Sequence, residues 1–385
     1  MTARAYPAAQ IFDGRTFRRD AALLVSDARV DGICDTTAIP EGYDVADIAA
    51  LITPGFVDLQ VNGGGGIMFN DAPDTTTLAR ISAAHQAAGT TAFLPTLVTD
   101  TSDVVHGAVD AVADAIAMDL PGVVGLHLEG PHFSPSRKGA HRGDLVRPMT
   151  EADLMFLCDA ASRLPVLKVT LSPEAASLSQ IAALTKAGVI VSLGHCASPY
   201  AACKDALDAG ARCVTHLFNA MSQITGRDPG LVGAALGHAK PHVGVIADGH
   251  HVHPANIALA ANCLMPDRRL FLVTDAMAPF GTDQGRFLMN GREVLRNNGT
   301  LRLSDGTLAG ADLTLPEALV NMVQFTKRPL DELLHMVTSI PTDMIGAGQS
   351  IGGLKTEAAA NFLMFTSEME LAAVFFRGCE IGGPT

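Results

Sequence analysis

The 385-residue chain carries 40 acidic against 27 basic side chains, a formal net charge of -13. That balance excludes a sequence-independent grip on nucleic acid or on acidic membranes, since both need clustered Lys and Arg. An anionic small ligand held by a few local cations stays open. Hydrophobic residues at 48% with 37 Gly describe a folded α/β chain with many tight turns, long enough for one large barrel and a small appendage.

Seven cysteines (Cys34, Cys158, Cys196, Cys203, Cys213, Cys263 and Cys379) form no CxxC pair. This argues against a disulfide framework and for a reducing cytoplasm. The opening MTARAYPAAQIFDGRTFRRD lacks an apolar core, so no secretory signal is expected there. No uncharged apolar run reaches the ~18 residues of a membrane span.

Residues 1–50 alternate short apolar pieces with turn residues (AQIFDG, AALLVSD, ARVDGIC, GYDVADI) and predict a few strands, too few to fold alone. A regular strand–helix alternation follows. Its strands are expected at 54–62, 90–98, 123–130, 166–173, 188–195, 212–219, 243–249 and 270–277. Most are separated by Ala-rich segments of helical length, such as 77–89, 101–118, 174–187 and 198–210. Near-continuous apolar strands with helical crossovers predict a parallel sheet covered on both faces. Eight such units fit a closed (β/α)8 barrel of the TIM type, with an open doubly wound sheet as the alternative. No GxGxxG or GxxxxGK[ST] follows the first strand, which weakens that alternative.

Residues 280–310 carry Asn/Gly-rich turns between alternating pieces (RFLMNG, REVLRNNGTLRLSDG), read as a hairpin over the barrel mouth before a helix at 314–326. Residues 360–382 return to strand patterns. The expected organisation is a small β-sandwich domain built from residues 1–50 and 350–385, with a catalytic barrel over 51–349 between its halves.

Four of the apolar runs stop on a polar residue: Glu129 in HLEGPHF, His195 in VSLGH, His216 in THLFNA and Asp275 in LVTDAM. Barrel strands end on one face, so these four should meet there. Two His and one Glu match the ligand set of a hydrolytic metal ion. The set accepts Zn2+ first, with Fe2+, Co2+ or Mn2+ as alternatives. A carboxylate buried at a strand end is costly without a cation or several donors, whereas a lone His there can simply cap backbone groups. Asp275 reads as a further ligand, a general base or a turn cap. The first strand reads Asp58-Leu59-Gln60-Val61-Asn62, with no His-x-His, so one bound metal ion is expected rather than two.

Arg227 in ITGRDPG, with Asn219, His250, His251 and His253, offers donors suited to a phosphate; GRDPG is equally a plain turn. His141 in RKGAH either polarises a carbonyl or is an ordinary loop residue. His127 and Cys196 read as core packing, His127 with a supporting role as its alternative.

Taken together, PGFVDLQVNGGGG, HLEGPHF with KGAH, SLGH, THLFNAMS, ITGRDPG, IADGHHV, VTDAMAPFG and GTLAGA resemble the N-acetylglucosamine-6-phosphate deacetylase family of the amidohydrolase superfamily. The resemblance covers about residues 50–350 in the right order. It implies a metal held by Glu129, His195 and His216, with Asp275 as catalytic acid/base. His141 and Ala140 match the loop that contacts the sugar and the acetyl carbonyl, and Leu308, Ala309 and Gly310 match the segment that closes over the sugar. Asn219, the Ala220 backbone, Arg227 and His251 match the phosphate contacts. The family supplies its arginine and histidine across a dimer interface, so a homodimer is implied. Gln60 and Asn62 stand where other members carry His-x-His, and His250 beside His251 leaves those two roles exchangeable. Competing readings are the galactosamine epimer as substrate, cyclic-amide hydrolysis of the dihydroorotase type using Lys168, and a sugar-phosphate binder without catalysis.

Overall fold

The eight apolar runs become eight parallel strands in the computed structural model, which describes residues 3–382. They are β1 Phe56–Val61, β2 Thr90–Val98, β3 Leu126–Glu129, β4 Leu167–Leu171, β5 Ile190–Leu193, β6 Cys213–Val214, β7 His242–Val245 and β8 Leu270–Leu272. Each pairs with its neighbour in chain order. The ring closes just beyond β8, where Asp275 N donates to Gln60 O (3.0 Å) and Asn62 N to Ala276 O (2.9 Å). Closure removes every strand edge.

A helix follows each strand: α1 Thr75–Ala87, α2 Ser102–Ala117, α3 Glu151–Arg163, α4 Leu178–Lys186, α5 Tyr200–Asp208, α6 Gly230–Gly237, α7 Pro254–Leu264 and α8 Leu315–Thr326. Their starts follow local chemistry. Ser177 and Gln180 form a capping box that begins α4 later than the expected 174, and Thr314 with Glu317 does the same for α8. His253 caps α7 through its ring, a structural role for the last histidine of the HHVH cluster.

Before α8 the chain makes four antiparallel strands, Arg286–Met289, Arg292–Asn297, Thr300–Leu303 and Leu308–Ala311, a fuller sheet than the single hairpin expected. Its inner side chains, among them Phe287, Val294, Leu301 and Ala309, pack on Met68, Val98, Ala140 and Met277 at the barrel mouth. Burying them away from water holds the sheet over that mouth.

The two ends of the chain share one sheet, in the order Cys379–Gly382, Leu371–Phe376, Phe362–Phe365, Ala49–Pro54, Arg4–Phe12, Phe17–Ser26, Arg29–Asp35. Three strand steps separate Phe375 from Tyr6, about 14 Å in a flat sheet, yet their ring centroids lie 5.1 Å apart. The sheet therefore folds over on itself, enclosing Tyr6, Ile11, Leu23, Ile52, Phe362 and Phe375 as a sandwich core separate from the barrel's.

Candidate active site

Glu129 is the last residue of β3, whereas His195, His216 and Asp275 lie two or three residues beyond their strands. All three have positive φ (+47°, +31° and +52°). That region is uncommon for residues with a Cβ, and such backbone is typical of functional sites. It ends the strands earlier than their apolar runs predict and turns the side chains inward over the mouth.

There the ligand atoms crowd together. His195 Nε2 lies 3.2 Å from His216 Nε2, and Glu129 Oε1 lies 3.4 Å from the first and 3.2 Å from the second. A tetrahedral ion with bonds of about 2.0–2.1 Å sets its ligands about 3.3 Å apart. The three atoms thus already stand at the spacing such an ion needs. His195 Nδ1 faces the Arg137 carbonyl oxygen at 2.8 Å; only a donor suits that contact, which leaves the Nε2 lone pair aimed at the shared point. Burial opposes charge on Glu129, but the facing imidazoles outweigh it and hold its carboxyl well below the usual range. Burial likewise opposes protonation of His216, and the Glu129 carboxylate overcomes it and pushes the imidazole up.

A second triple, Glu129, His141 and His195, also has its potential ligand atoms within 4.8 Å of one another. Hydrogen bonding argues against His141 as a ligand. The Thr99 backbone N–H donates to His141 Nδ1 (3.2 Å), and an amide N–H can only donate. The ring proton must then sit on Nε2, 3.9 Å from Glu129 Oε2, where it is a donor into the site rather than a lone pair for a metal. Burial, then the neighbouring His195, pushes this imidazole down to about 3, so it is neutral.

Asp275, on the other side, is 7% exposed. Burial and the Glu129 charge raise its carboxyl, opposed by His216 and Asn62. Its Oδ1 accepts from Gln60 Nε2 (3.0 Å) and Asn62 Nδ2 (2.7 Å).

These groups open on a cavity of about 310 Å³, lined by every site residue the resemblance implies except Arg227 and Ala309; His250 and His253, the other candidate phosphate donors, also lie outside its lining. Leu308 and Gly310 face the cavity, while Ala309, of opposite parity on the same strand, points into the apolar cluster below. Arg227 is exposed on its turn, outside the cavity of its own chain. His251 lines the cavity of its own chain, not that of a second copy as the resemblance implies for the phosphate-contacting histidine, and is held by Asp248, whose Oδ2 lies 2.6 Å from Nδ1. Arg292 of the overlying sheet donates to the Ala140 carbonyl and so pins the loop that carries His141. A larger cleft of about 1080 Å³ lies between the terminal sheet and the opposite end of the barrel, and it contains none of these groups.

Thr99, Asp248, Arg292 and the amides of Gln60 and Asn62 were not singled out as functional from the sequence. Asp248 has a legible signal, an Asp three residues before a His. Thr99 and Arg292 have none, because their partners are 42 and 152 residues away. Lys168 is fully buried on β4, but it pairs in register with His127, two residues below Glu129. Its ammonium meets the Leu59 carbonyl oxygen (3.5 Å) instead of joining the ligand cluster, which counts against the dihydroorotase-type reading.

A closed parallel barrel with two His and one Glu converging at its C-terminal mouth defines the metal-dependent hydrolase class. The chain belongs to the amidohydrolase family, which matches over residues 51–381, and members of that family are metal-dependent. It is 38% identical to N-acetylgalactosamine-6-phosphate deacetylase of Shewanella sp. (strain ANA-3), over 93% of this chain and 90% of that one. The crystal structure of N-acetylglucosamine-6-phosphate deacetylase from Pasteurella multocida superposes with a TM-score of 0.92 at 34% identity, covering 98% of each chain. A mutant of the Mycobacterium smegmatis N-acetyl-D-glucosamine-6-phosphate deacetylase, solved with N-acetyl-D-glucosamine-6-phosphate, also superposes with a TM-score of 0.92. It is 30% identical, over 99% of this chain and 100% of that one. No helix among the described residues is long and apolar enough to cross a membrane.

Proposed function

We propose that the protein hydrolyses the acetamide of N-acetylglucosamine 6-phosphate to glucosamine 6-phosphate and acetate, in amino-sugar catabolism. The observation that carries this reading is the tetrahedral spacing of Glu129, His195 and His216, flanked by a carboxylate on one side and a neutral N–H donor on the other. Those three residues would hold one divalent ion per subunit, zinc first among the candidates. When bound, that ion supplies Lewis acidity, acidifying water and polarising a carbonyl.

The remaining chemistry belongs to the chain. His141 Nε2–H donates to the acetyl oxygen as negative charge gathers there, a contribution of about 3 kcal/mol for one well-placed donor. Asp275 takes the proton from the attacking water and returns it to the departing amine nitrogen. Its raised, buried carboxyl suits both transfers, because a weaker acid is a stronger base for the first. Asn219, the Ala220 backbone and His251 meet the phosphate, with His251 oriented by Asp248. Ala140 meets the sugar from one side, and Leu308 and Gly310 close over it from the other, with Ala309 between them anchoring the strand in the apolar cluster. Arg227, exposed and away from its own cavity, would reach the phosphate of a second copy, which makes the working unit a homodimer in the cytoplasm. The two terminal segments act as one domain beside the barrel; their sheet takes in the whole strand Ala49–Pro54 and so runs a few residues past the 50/51 boundary expected from the sequence.

One observation favours a second reading: the relative at 38% identity is named for the galactosamine epimer. Acetate release from both epimeric N-acetylhexosamine 6-phosphates, compared by kcat/KM, tests the two together. A clear preference for the glucosamine substrate is expected. Preference for its epimer would reassign the substrate, and no release from either would leave a binder without catalysis.

A further inference from the structure

Gln60 and Asn62 occupy the two positions where the sequence lacks imidazoles, and both are fully buried. They stand two residues apart on and just beyond β1, so they share its parity and face the same interior. Gln60 Nε2 lies 3.0 Å from Asp275 Oδ1 and 3.2 Å from Glu129 Oε1. Asn62 Nδ2 lies 2.7 Å from the same Asp275 Oδ1.

An amide nitrogen carries two hydrogens, so Gln60 can give one to each carboxylate. A neutral imidazole nitrogen carries at most one and could serve only one of them. The two contacts also fix which way each amide points, because turning either over would set its oxygen against a carboxylate oxygen. The outward oxygens, Gln60 Oε1 and Asn62 Oδ1, are left without a hydrogen-bond partner among the described residues.

We propose that Gln60 and Asn62 are positioning residues that occupy Oδ1 of Asp275 and reserve Oδ2 for proton transfer. The inference rests on Asp275 being the acid/base. With two N–H donors on Oδ1, its lone pairs are engaged and Oδ2 is the oxygen left to accept a proton. By bridging Asp275 to Glu129, Gln60 also fixes the base relative to the metal ligands. It places a donor between two buried carboxylates that would otherwise repel each other and splay apart. Where His-x-His would bring ligands for a second ion, this chain has a clamp on its base.

A double-mutant cycle tests the clamp. Gln60→Leu and Asn62→Leu are each made alone and in the Asp275→Asn background. The readouts are kcat, KM for N-acetylglucosamine 6-phosphate, metal bound per chain and thermal midpoint. In the Asp275 background kcat should fall about 10²-fold, the scale for a displaced catalytic group, with KM and metal content within about twofold of wild type. In the Asp275→Asn background the same changes should cost nothing further, since they act through a group already gone. Asn62→Asp keeps the shape and replaces the donor with a repelling oxygen; it should lose at least as much, and it decides the matter if the leucine variants fold poorly. An equal fall in both backgrounds, unchanged kcat, a raised KM alone or lost metal would each overturn the clamp. Undiminished turnover in Asp275→Asn by itself would instead remove the acid/base assignment, and the clamp with it.

Discussion

Glu129 and His127 stand two residues apart on β3, both buried and facing the same barrel interior, yet their surroundings differ in kind. His127 Nε2 bonds Thr170 Oγ1 at 2.7 Å and its Nδ1 faces Thr96 Oγ1 at 3.2 Å. The chain of hydroxyls continues through Thr215 to Ser192 at 2.8 and 2.6 Å. Each of these side chains meets a partner, as a buried polar layer must if it is to be tolerated. One layer higher, Glu129, His195 and His216 crowd their acceptor atoms into one small space with too few protons between them, and Asp275 keeps one oxygen free. Polar residues in a core are thus no signature of a site by themselves. Polar groups whose needs can be met only by something absent from the chain are.

The largest effect that would sharpen this contrast is at Asp275. Asp275→Asn keeps the shape and the metal ligands but cannot accept a proton. Turnover is expected to fall about 10³-fold, within the range for acid–base catalysis, with bound metal unchanged. Near-normal kcat would remove the carboxylate from the chemistry. His141→Leu comes next and separates the two possible ligand triples. As a donor lost from the developing oxyanion it should cost about 10²-fold in kcat while metal content holds at one per chain. Loss of the metal would make His141 a ligand and break the tautomer argument.

In the lower layer the order of effects reverses. His127→Leu takes one partner each from the hydroxyls of Thr96 and Thr170, which keep Val61 N–H and Thr215 Oγ1, and should cost about 1–3 kcal/mol of stability with metal content retained and turnover nearly so. A denaturant titration beside an activity assay checks both. Asp58 is read through pH instead. It is fully buried, and burial pushes its carboxyl up to about 7 despite hydrogen bonds from Thr274 and Gln60. An acid raised above its unfolded value near ~3.9 takes up a proton on folding. Its contribution is therefore complete below about pH 4 and is lost as pH rises through 7. Stability should fall across that window by up to about 1.4 kcal/mol per pH unit from this group. Asp58→Asn should flatten that slope, read from urea midpoints at pH 5 and 7, and an unchanged slope would count against a protonated Asp58.

Much of this was legible in the sequence, for identifiable reasons. Eight apolar runs spaced by helical segments lead to one topology, and the alternation of 54–277 delivered every barrel strand. Glu129, His195, His216 and Asp275 stood out because each interrupts such a run. The sequence could not reveal that the two histidines and Asp275 leave the strand through left-handed backbone, since no glycine marks those positions. Nor could it show that the 280–310 excursion is a four-stranded sheet, because its register depends on burial against Met68, Val98 and Ala140, far earlier in the chain. The amides of Gln60 and Asn62 read as an absence of histidine. Their function as donors appears only when β1 closes against the end of β8 and brings Asp275 within 3.0 Å.

The most direct measurement is acetate release from N-acetylglucosamine 6-phosphate with metal content followed on the same sample. Chelation should bring both to near zero, and one equivalent of zinc per chain should restore both together. Glu129→Gln should neither retain the ion nor recover activity. Full turnover by chelated, metal-free enzyme would contradict the account at its centre.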